Sequence, residues 1–120
     1  EPKIFLLNFL TRSNWRISMP VVVTCTIDWG VETIEKILPE LKRHTEVVLQ
    51  EKGCKEFSFA IDIDKPDVVI ATEVYLDYQA HEEHFKTKQW EHFSGVMEEY
   101  PPRSIEVKTY EAKEVPHALD

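Results

Sequence analysis

The side chains best suited to proton transfer lie in one stretch of the sequence, around Glu73, Tyr75 and His84. Histidine titrates near neutral pH, so His84 could accept a proton from a phenol or an enol, or hydrogen-bond the resulting oxyanion. Tyr75 and Glu73 share one face of a predicted strand, where Tyr75 could donate to a substrate oxygen. We predict His84 and Tyr75 as catalytic residues, with a core-edge histidine and a sheet-packing tyrosine as the structural alternatives.

Aromatic residues and one acidic residue form the predicted substrate-binding set. Trp90 and Phe93 recur at helical spacing, which is typical of core packing and, alternatively, of a pocket wall. Trp29 ends a predicted strand and could close a pocket mouth or a dimer seam. Glu73 is costly to bury without a partner. Its candidate partners, on charge alone, are Arg103 and Lys108.

Metal and cofactor chemistry have little support in the sequence. His81 and His84 could share a metal with a third ligand, but their spacing is not that of the H-E-x-x-H zinc motif, and a solvated helix face fits better. No G-x-S-x-G, phosphate-loop or dinucleotide motif is present. Cys25 lies mid-strand and is typical of a small buried side chain. We therefore predict no metal and no cofactor.

Composition limits the class of protein. The chain has 120 residues, with 22 acidic and 14 basic side chains and a formal net charge of -8. This length suits one domain, and the acidic balance argues against binding to nucleic acid or anionic lipid. No apolar run approaches the roughly 20 residues of a membrane span. Two cysteines do not make a disulfide scaffold. We expect a cytoplasmic protein that acts on a small molecule.

The first 18 residues differ in charge from the rest, because they carry three basic side chains and one acidic one. We predict that residues 1–18 are an N-terminal extension and that residues 19–120 form the domain. Met19 is then the natural start. The alternatives are part of a targeting peptide or an additional strand or short helix.

Hydrophobic periodicity predicts the elements that position these residues. Residues 21–28, 57–63, 68–77 and 104–115 are predicted strands, and the second and third form an antiparallel hairpin. A helix from Val31 carries an apolar stripe and should bend or break at Pro39. Its predicted stripe is Ile34, Ile37, Leu38, Leu41, Thr45, Val48 and Leu49. Residues 78–100 hold two apolar faces that one straight helix could not bury, so we predict a break near residues 86–88, with Asp77 and Thr87 as N-caps.

The resulting order, β-α-β-β-α-β, predicts a ferredoxin-like α+β fold with a four-stranded antiparallel sheet. Two helices should cover one face of the sheet. We expect the strand positions in phase with Phe57 or Val69 to lie on the other face. That apolar face would be hidden in a homodimer or, alternatively, covered by the N-terminal extension.

Two sequence stretches resemble the antibiotic biosynthesis monooxygenase (ABM) family. Glu51-Lys52-Gly53-Cys54 is similar to the E-x-G-C entry to its second strand. The second stretch follows the pattern E-x-[WY]-x-D-x-x-A-x-x-x-H. It comprises Glu73, Tyr75, Asp77, Ala80 and His84, continued by Thr87, Trp90 and Phe93. The resemblance covers residues 20–115 and implies a dimeric α+β barrel.

The family resemblance implies oxidation of a hydroquinone or anthrone without metal or flavin. It implies His84 as base or oxyanion partner, Tyr75 as orienting donor, and Trp90 and Phe93 as walls. Gln89 replaces a second histidine that many members carry, and the absence of an Asn/Trp/His set disfavours haem degradation. The alternatives are an isomerase or signal-degrading enzyme on the same scaffold, and a non-catalytic dimeric stress-response or binding module.

Overall fold

The computed structural model describes residues 19–119. These residues form four strands and three helices. They are β1 (Val21–Asp28), α1 (Val31–Val48), β2 (Cys54–Ile61), β3 (Val68–Tyr75), α2 (Tyr78–His84), α3 (Lys88–Glu99) and β4 (Ser104–Glu111). Residues 1–18, predicted to be an N-terminal extension, lie outside the described part of the chain.

The strands form one antiparallel sheet in the order β2-β3-β1-β4. β1 is central because its β-branched sequence, VVVTCTID, suits a strand with neighbours on both sides. The element order and the sheet confirm the predicted ferredoxin-like α+β fold. Three strand ends were predicted too far along the chain. Ile63, for example, lies beyond β2 and is 97% exposed.

The helix α1 runs without interruption through Pro39, so the break is wrong, and the bend given as the other expectation stays a prediction. Its buried positions alternate in steps of three and four residues, the spacing of an apolar stripe on a helix. They are Ile34, Ile37, Leu41, His44 and Val48. Leu38 and Leu49, placed in the predicted stripe, are 40% and 47% exposed. The true stripe is therefore rotated so that His44 faces the sheet.

The second helical region is divided where the sequence predicted, between α2 and α3. The Asp77 carboxylate accepts a hydrogen bond from the backbone N–H of Ala80 at 2.8 Å. The Thr87 hydroxyl accepts one from the N–H of Trp90 at 3.2 Å. Both predicted N-caps are confirmed. Because each cap begins a new helix, α2 and α3 turn different faces toward the sheet.

The assignment of the two sheet faces was wrong. Phe57 is 7% exposed and Val69 is 1% exposed. Val69 and its partner across the strands, Ile27, belong to the same buried core as helix residues such as Ile34. The open face instead carries the alternate positions, including Val22 and Val74, which are paired in the register. The alternation of side chains along the strands identified two sheet faces, and both faces contain apolar residues. The sequence therefore could not show which face the helices cover.

No helix within residues 19–119 is both long and apolar enough to cross a membrane. The predicted cytoplasmic location stays a prediction.

Candidate active site

A cavity of about 190 Å³ lies between the helix-covered face of the sheet and the helices. Apolar side chains dominate its wall, and five titratable side chains also border it. These five are Cys25, His44, Glu73, His81 and His84. The cavity extends to β4, where Ile105 is 47% and Val107 is 53% exposed. Solvent and ligands can therefore enter at the β4 edge.

His84 occupies the C-terminal end of α2 and is only 2% exposed. Its Nδ1 lies 3.0 Å from both carboxylate oxygens of Glu51. A carboxylate can only accept, so Nδ1 carries the hydrogen and Nε2 is left as the acceptor. Glu51 thus fixes both the ring orientation and the tautomer of His84.

The Glu51 carboxylate has a second donor, because Gln89 Nε2 lies 2.8 Å from Glu51 Oε2. Gln89 is the residue that stands where many family members carry a second histidine. In this chain it helps to hold the partner of His84. Glu51 can reach α2 because Gly53 packs tightly against that helix: a Cβ added at Gly53 would lie 2.4 Å from the Cβ of Ala80.

Glu73 lies on β3 and lines the cavity, where it is 9% exposed. Tyr75 donates its hydroxyl to Glu73 Oε1 at 2.6 Å, and the Cys25 thiol lies 3.7 Å from Glu73 Oε2. Burial raises the pKa of the Glu73 carboxyl, although the Tyr75 hydrogen bond and the nearby His84 oppose this shift. Glu73 is therefore the acidic group of the cavity and protonates more readily than an exposed glutamate.

The predicted partners of Glu73 were wrong. Arg103 instead donates to Asp28 at 2.6 Å and to Asp67 at 2.7 Å, and Lys108 lies 3.2 Å from Glu106. Tyr75, two positions along the same strand, provides the hydrogen bond instead.

The two hydrogen-bond donors of Glu73 are held in their protonated forms. Burial, and then the Glu73 charge, raises the pKa of the Tyr75 hydroxyl. Burial and Glu73 also raise the pKa of the Cys25 thiol to about 12. A protonated thiol is a weak nucleophile, so Cys25 acts as a small buried side chain, as predicted from its place in the strand.

The structure brings most of the predicted site residues together. His84, Glu73, Trp90 and Phe93 all border the cavity. Tyr75 is fully buried and does not line the cavity, but its hydroxyl bonds Glu73 and its ring lies 5.5 Å from the His84 ring between centroids. Trp29 does not line the cavity. Its indole N–H instead donates to the backbone carbonyl of Tyr100 at 2.8 Å.

Two residues at the site were missed from the sequence. Glu51 was noted only as part of a motif, and His44 was not considered at all. The one available signal for His44 was that position 44 continues the three-four spacing of the α1 stripe. Among residues 19–119, no three His, Cys, Asp or Glu side chains group closely enough to hold a metal ion.

The fold and the cavity define a ferredoxin-like α+β domain with a histidine-lined apolar site. The sequence profile of the antibiotic biosynthesis monooxygenase family matches residues 20–95, and the chain belongs to that family. No curated protein sequence matches the chain.

Solved structures share the fold at low sequence identity. A candidate antibiotic biosynthesis monooxygenase from Deinococcus radiodurans is 18% identical, with a TM-score of 0.76 over 83% of this chain and 99% of that one. A protein from Shewanella oneidensis is 24% identical, with a TM-score of 0.69 over 78% and 90% of the two chains. A conserved protein from Methanosarcina mazei is 16% identical, with a TM-score of 0.73 over 83% and 99%.

Proposed function

We propose that the protein is a cofactor-independent monooxygenase for a small, electron-rich aromatic substrate of the quinol type. The observation that carries this proposal is the orientation of His84. Its Nδ1 is held by Glu51, and the residue borders an apolar cavity in which Nε2 can act as a base. Membership of the family and the description of the Deinococcus radiodurans neighbour support the same activity.

The reaction begins when His84 Nε2 accepts a proton from a substrate hydroxyl. The substrate anion transfers one electron to dioxygen, and the radical and superoxide combine to form a carbon–oxygen bond. The peroxide takes up a proton and loses water. In sum, one quinol and one dioxygen give one hydroxyquinone and one water. The apolar wall strengthens the electrostatic interactions of the site with the anion.

The cavity size favours a substrate with one enclosed ring. Pockets for drug-sized ligands measure roughly 300–1,000 Å³, whereas this cavity measures about 190 Å³. A dry cavity of about 150 Å³ can hold benzene. Trp90 and Phe93 would form the walls around that ring. Any second ring would extend through the open side at β4.

Tyr75 has a positioning role in this proposal, because its hydroxyl is bonded to Glu73 and not directed at the cavity. Glu73, which borders the cavity, is a substrate-binding residue.

Oxygen uptake with naphthohydroquinone, corrected for uncatalysed oxidation, tests the function. We expect His84→Ala to lower kcat/KM roughly 10²–10⁴-fold, the usual contribution of a general base. His92→Ala is the matched control, because His92 is 43% exposed and paired with Glu40 away from the cavity. Turnover that survives His84→Ala would remove the proposed base. Proton exchange without oxygen uptake would identify an isomerase instead.

We also propose that two chains form a homodimer through the open face of the sheet. Val22, Ile70 and Val74 are only partly covered there, and Tyr110 is 51% exposed. A second copy would cover this face by stacking one sheet on the other. We expect sedimentation velocity to show a dimer and Ile70→Glu to produce monomers. A monomeric, folded natural chain at micromolar concentration would contradict the dimer.

A further inference from the structure

His44 is buried in the C-terminal half of α1, and its side chain forms no hydrogen bond with any of residues 19–119. It is 3% exposed, and its interactions are with rings: it stacks on Phe93 at 4.1 Å between centroids and meets Phe57 edge-on at 5.3 Å. A phenylalanine could make the same ring contacts without burying an unpaired polar group. Packing alone therefore does not explain a histidine here.

The unpaired nitrogens of His44 point to open space. No fully enclosed side-chain nitrogen or oxygen within residues 19–119 lacks a partner, so these atoms are not sealed in the core. The open space that His44 borders is the cavity. The same reasoning applies to Nε2 of His84, because its Nδ1 is bonded to Glu51. Two imidazoles thus offer polar atoms to one apolar chamber.

The distance between the two rings suits a shared ligand atom. The centroids of His44 and His84 are 6.2 Å apart, with the rings tilted by 56°. An oxygen that hydrogen-bonds an imidazole nitrogen in the ring plane lies about 4 Å from the ring centroid. The separation of the two rings therefore allows one oxygen between them to bond both.

We propose that His44 is a second imidazole at the reacting oxygen, where it donates a hydrogen bond to the same phenolic or enolic oxygen that gives its proton to His84. The proton moves from that oxygen to His84 Nε2. The negative charge left on the oxygen is then stabilised by the His44 N–H. This inference rests on the proposed function and assigns the oxyanion partner within it.

The electrostatic surroundings suit this donor role. Burial, and then the charge of His84, lowers the pKa of His44 to about 4, so the ring is neutral at neutral pH and keeps one N–H. A neutral imidazole can stabilise a developing oxyanion. Glu73 shares the cavity, but its carboxylate already accepts from Tyr75 and lies beside Cys25. The ligand anion and Glu73 therefore have separate donors.

Nitrophenol tests the proposal without any reaction with dioxygen. It carries a phenolic oxygen like that of the proposed substrate, and its ionisation is visible by absorbance. Nitrobenzene is the matched probe that lacks this oxygen. We expect His44→Phe to weaken nitrophenolate binding roughly tenfold by calorimetry and to raise the pKa of bound nitrophenol. Nitrobenzene binding should not change. The variant should melt at the same temperature as the natural protein or higher, and His92→Phe should leave both affinities unaltered.

If His44→Phe changes the affinities for nitrophenolate and nitrobenzene equally, the proposal is overturned. It is also overturned if the natural protein does not bind nitrophenolate more tightly than nitrobenzene. A second measurement avoids the variant altogether. The imidazole nitrogen chemical shifts of His44 should move with nitrophenolate and not with nitrobenzene, and their constancy would contradict the contact. A protein that passes these tests but consumes no oxygen would contradict the monooxygenase activity and leave the role of His44 intact.

Discussion

Two glutamates support the cavity, and their partners differ in chemical character. Glu51 lies behind His84 and accepts from an imidazole and from the Gln89 amide. Glu73 borders the cavity and accepts from the Tyr75 hydroxyl, with the Cys25 thiol close by. The imidazole beside Glu51 is the proposed base, whereas the hydroxyl and thiol beside Glu73 keep their protons. Glu51 therefore orients a base, and Glu73 lies at the cavity itself.

Replacing Glu51 should have the larger effect on activity. We expect Glu51→Gln to lower kcat/KM for naphthohydroquinone roughly 10- to 100-fold, the range seen when the partner that orients a working imidazole is lost. The amide can donate to Nδ1 and so favours the wrong tautomer of His84. Glu83→Gln is the control, since Glu83 precedes His84 on α2 and is 58% exposed. Equal activities of the two variants would show that Glu51 does not orient the base.

Removing the Tyr75 hydroxyl should weaken the fold, because Glu73 then loses its shortest hydrogen bond. We expect Tyr75→Phe to lower the free energy of unfolding by about 1.5–3 kcal/mol, as for a bond to a charged group. Chemical denaturation measures this loss. Tyr78→Phe is the control, because Tyr78 is 56% exposed and should change stability little. If Glu73→Gln leaves the cost of Tyr75→Phe unchanged, the two residues are not coupled.

The burial of Glu73 should also make stability depend on pH, and we expect this effect to be smaller than the cost of Tyr75→Phe. Because burial raises the pKa of Glu73, the folded protein binds that proton more tightly than the unfolded chain does. Stability from Glu73 is therefore fully present below the ordinary glutamate pKa of 4.5 and is lost as the pH rises through the raised value. Glu73→Gln should remove this loss and be more stable than the natural protein at neutral pH.

The difference between the natural protein and Glu73→Gln isolates this contribution. His44 has the opposite dependence, because its pKa is lowered from 6.5 to about 4, but it is present in both proteins. Thermal melting from pH 4 to 8 measures the difference. Parallel curves for the two proteins would show that Glu73 does not titrate differently in the folded state.

The local features of this fold were predictable, because they depend on residues close in sequence. Asp77 and Thr87 cap helices whose first turns follow them directly. The period of two in the strands gave the hairpin between β2 and β3. The covered face could not be predicted, since Val69 and Ile70 on neighbouring positions are both apolar.

The site was only partly predictable, because its hydrogen bonds join residues far apart in sequence. His84 and Glu51 are separated by 33 positions and meet through the close approach of Gly53 to α2. Gln89 looked like a missing histidine, and only the fold shows that it supports Glu51. The helical spacing of Trp90 and Phe93 favoured core packing with a pocket wall as the alternative, and both line the cavity. His44 was hidden within a stripe that is otherwise apolar.

The central claim is that a substrate anion formed at His84 reduces dioxygen directly. The most direct measurement follows isotopically labelled dioxygen during turnover of naphthohydroquinone by the chelator-treated protein. We expect one labelled oxygen atom in the hydroxyquinone and the other in water. With His84→Ala, we expect no labelling of either product above background. An unlabelled product, or labelling that does not depend on His84, would contradict it.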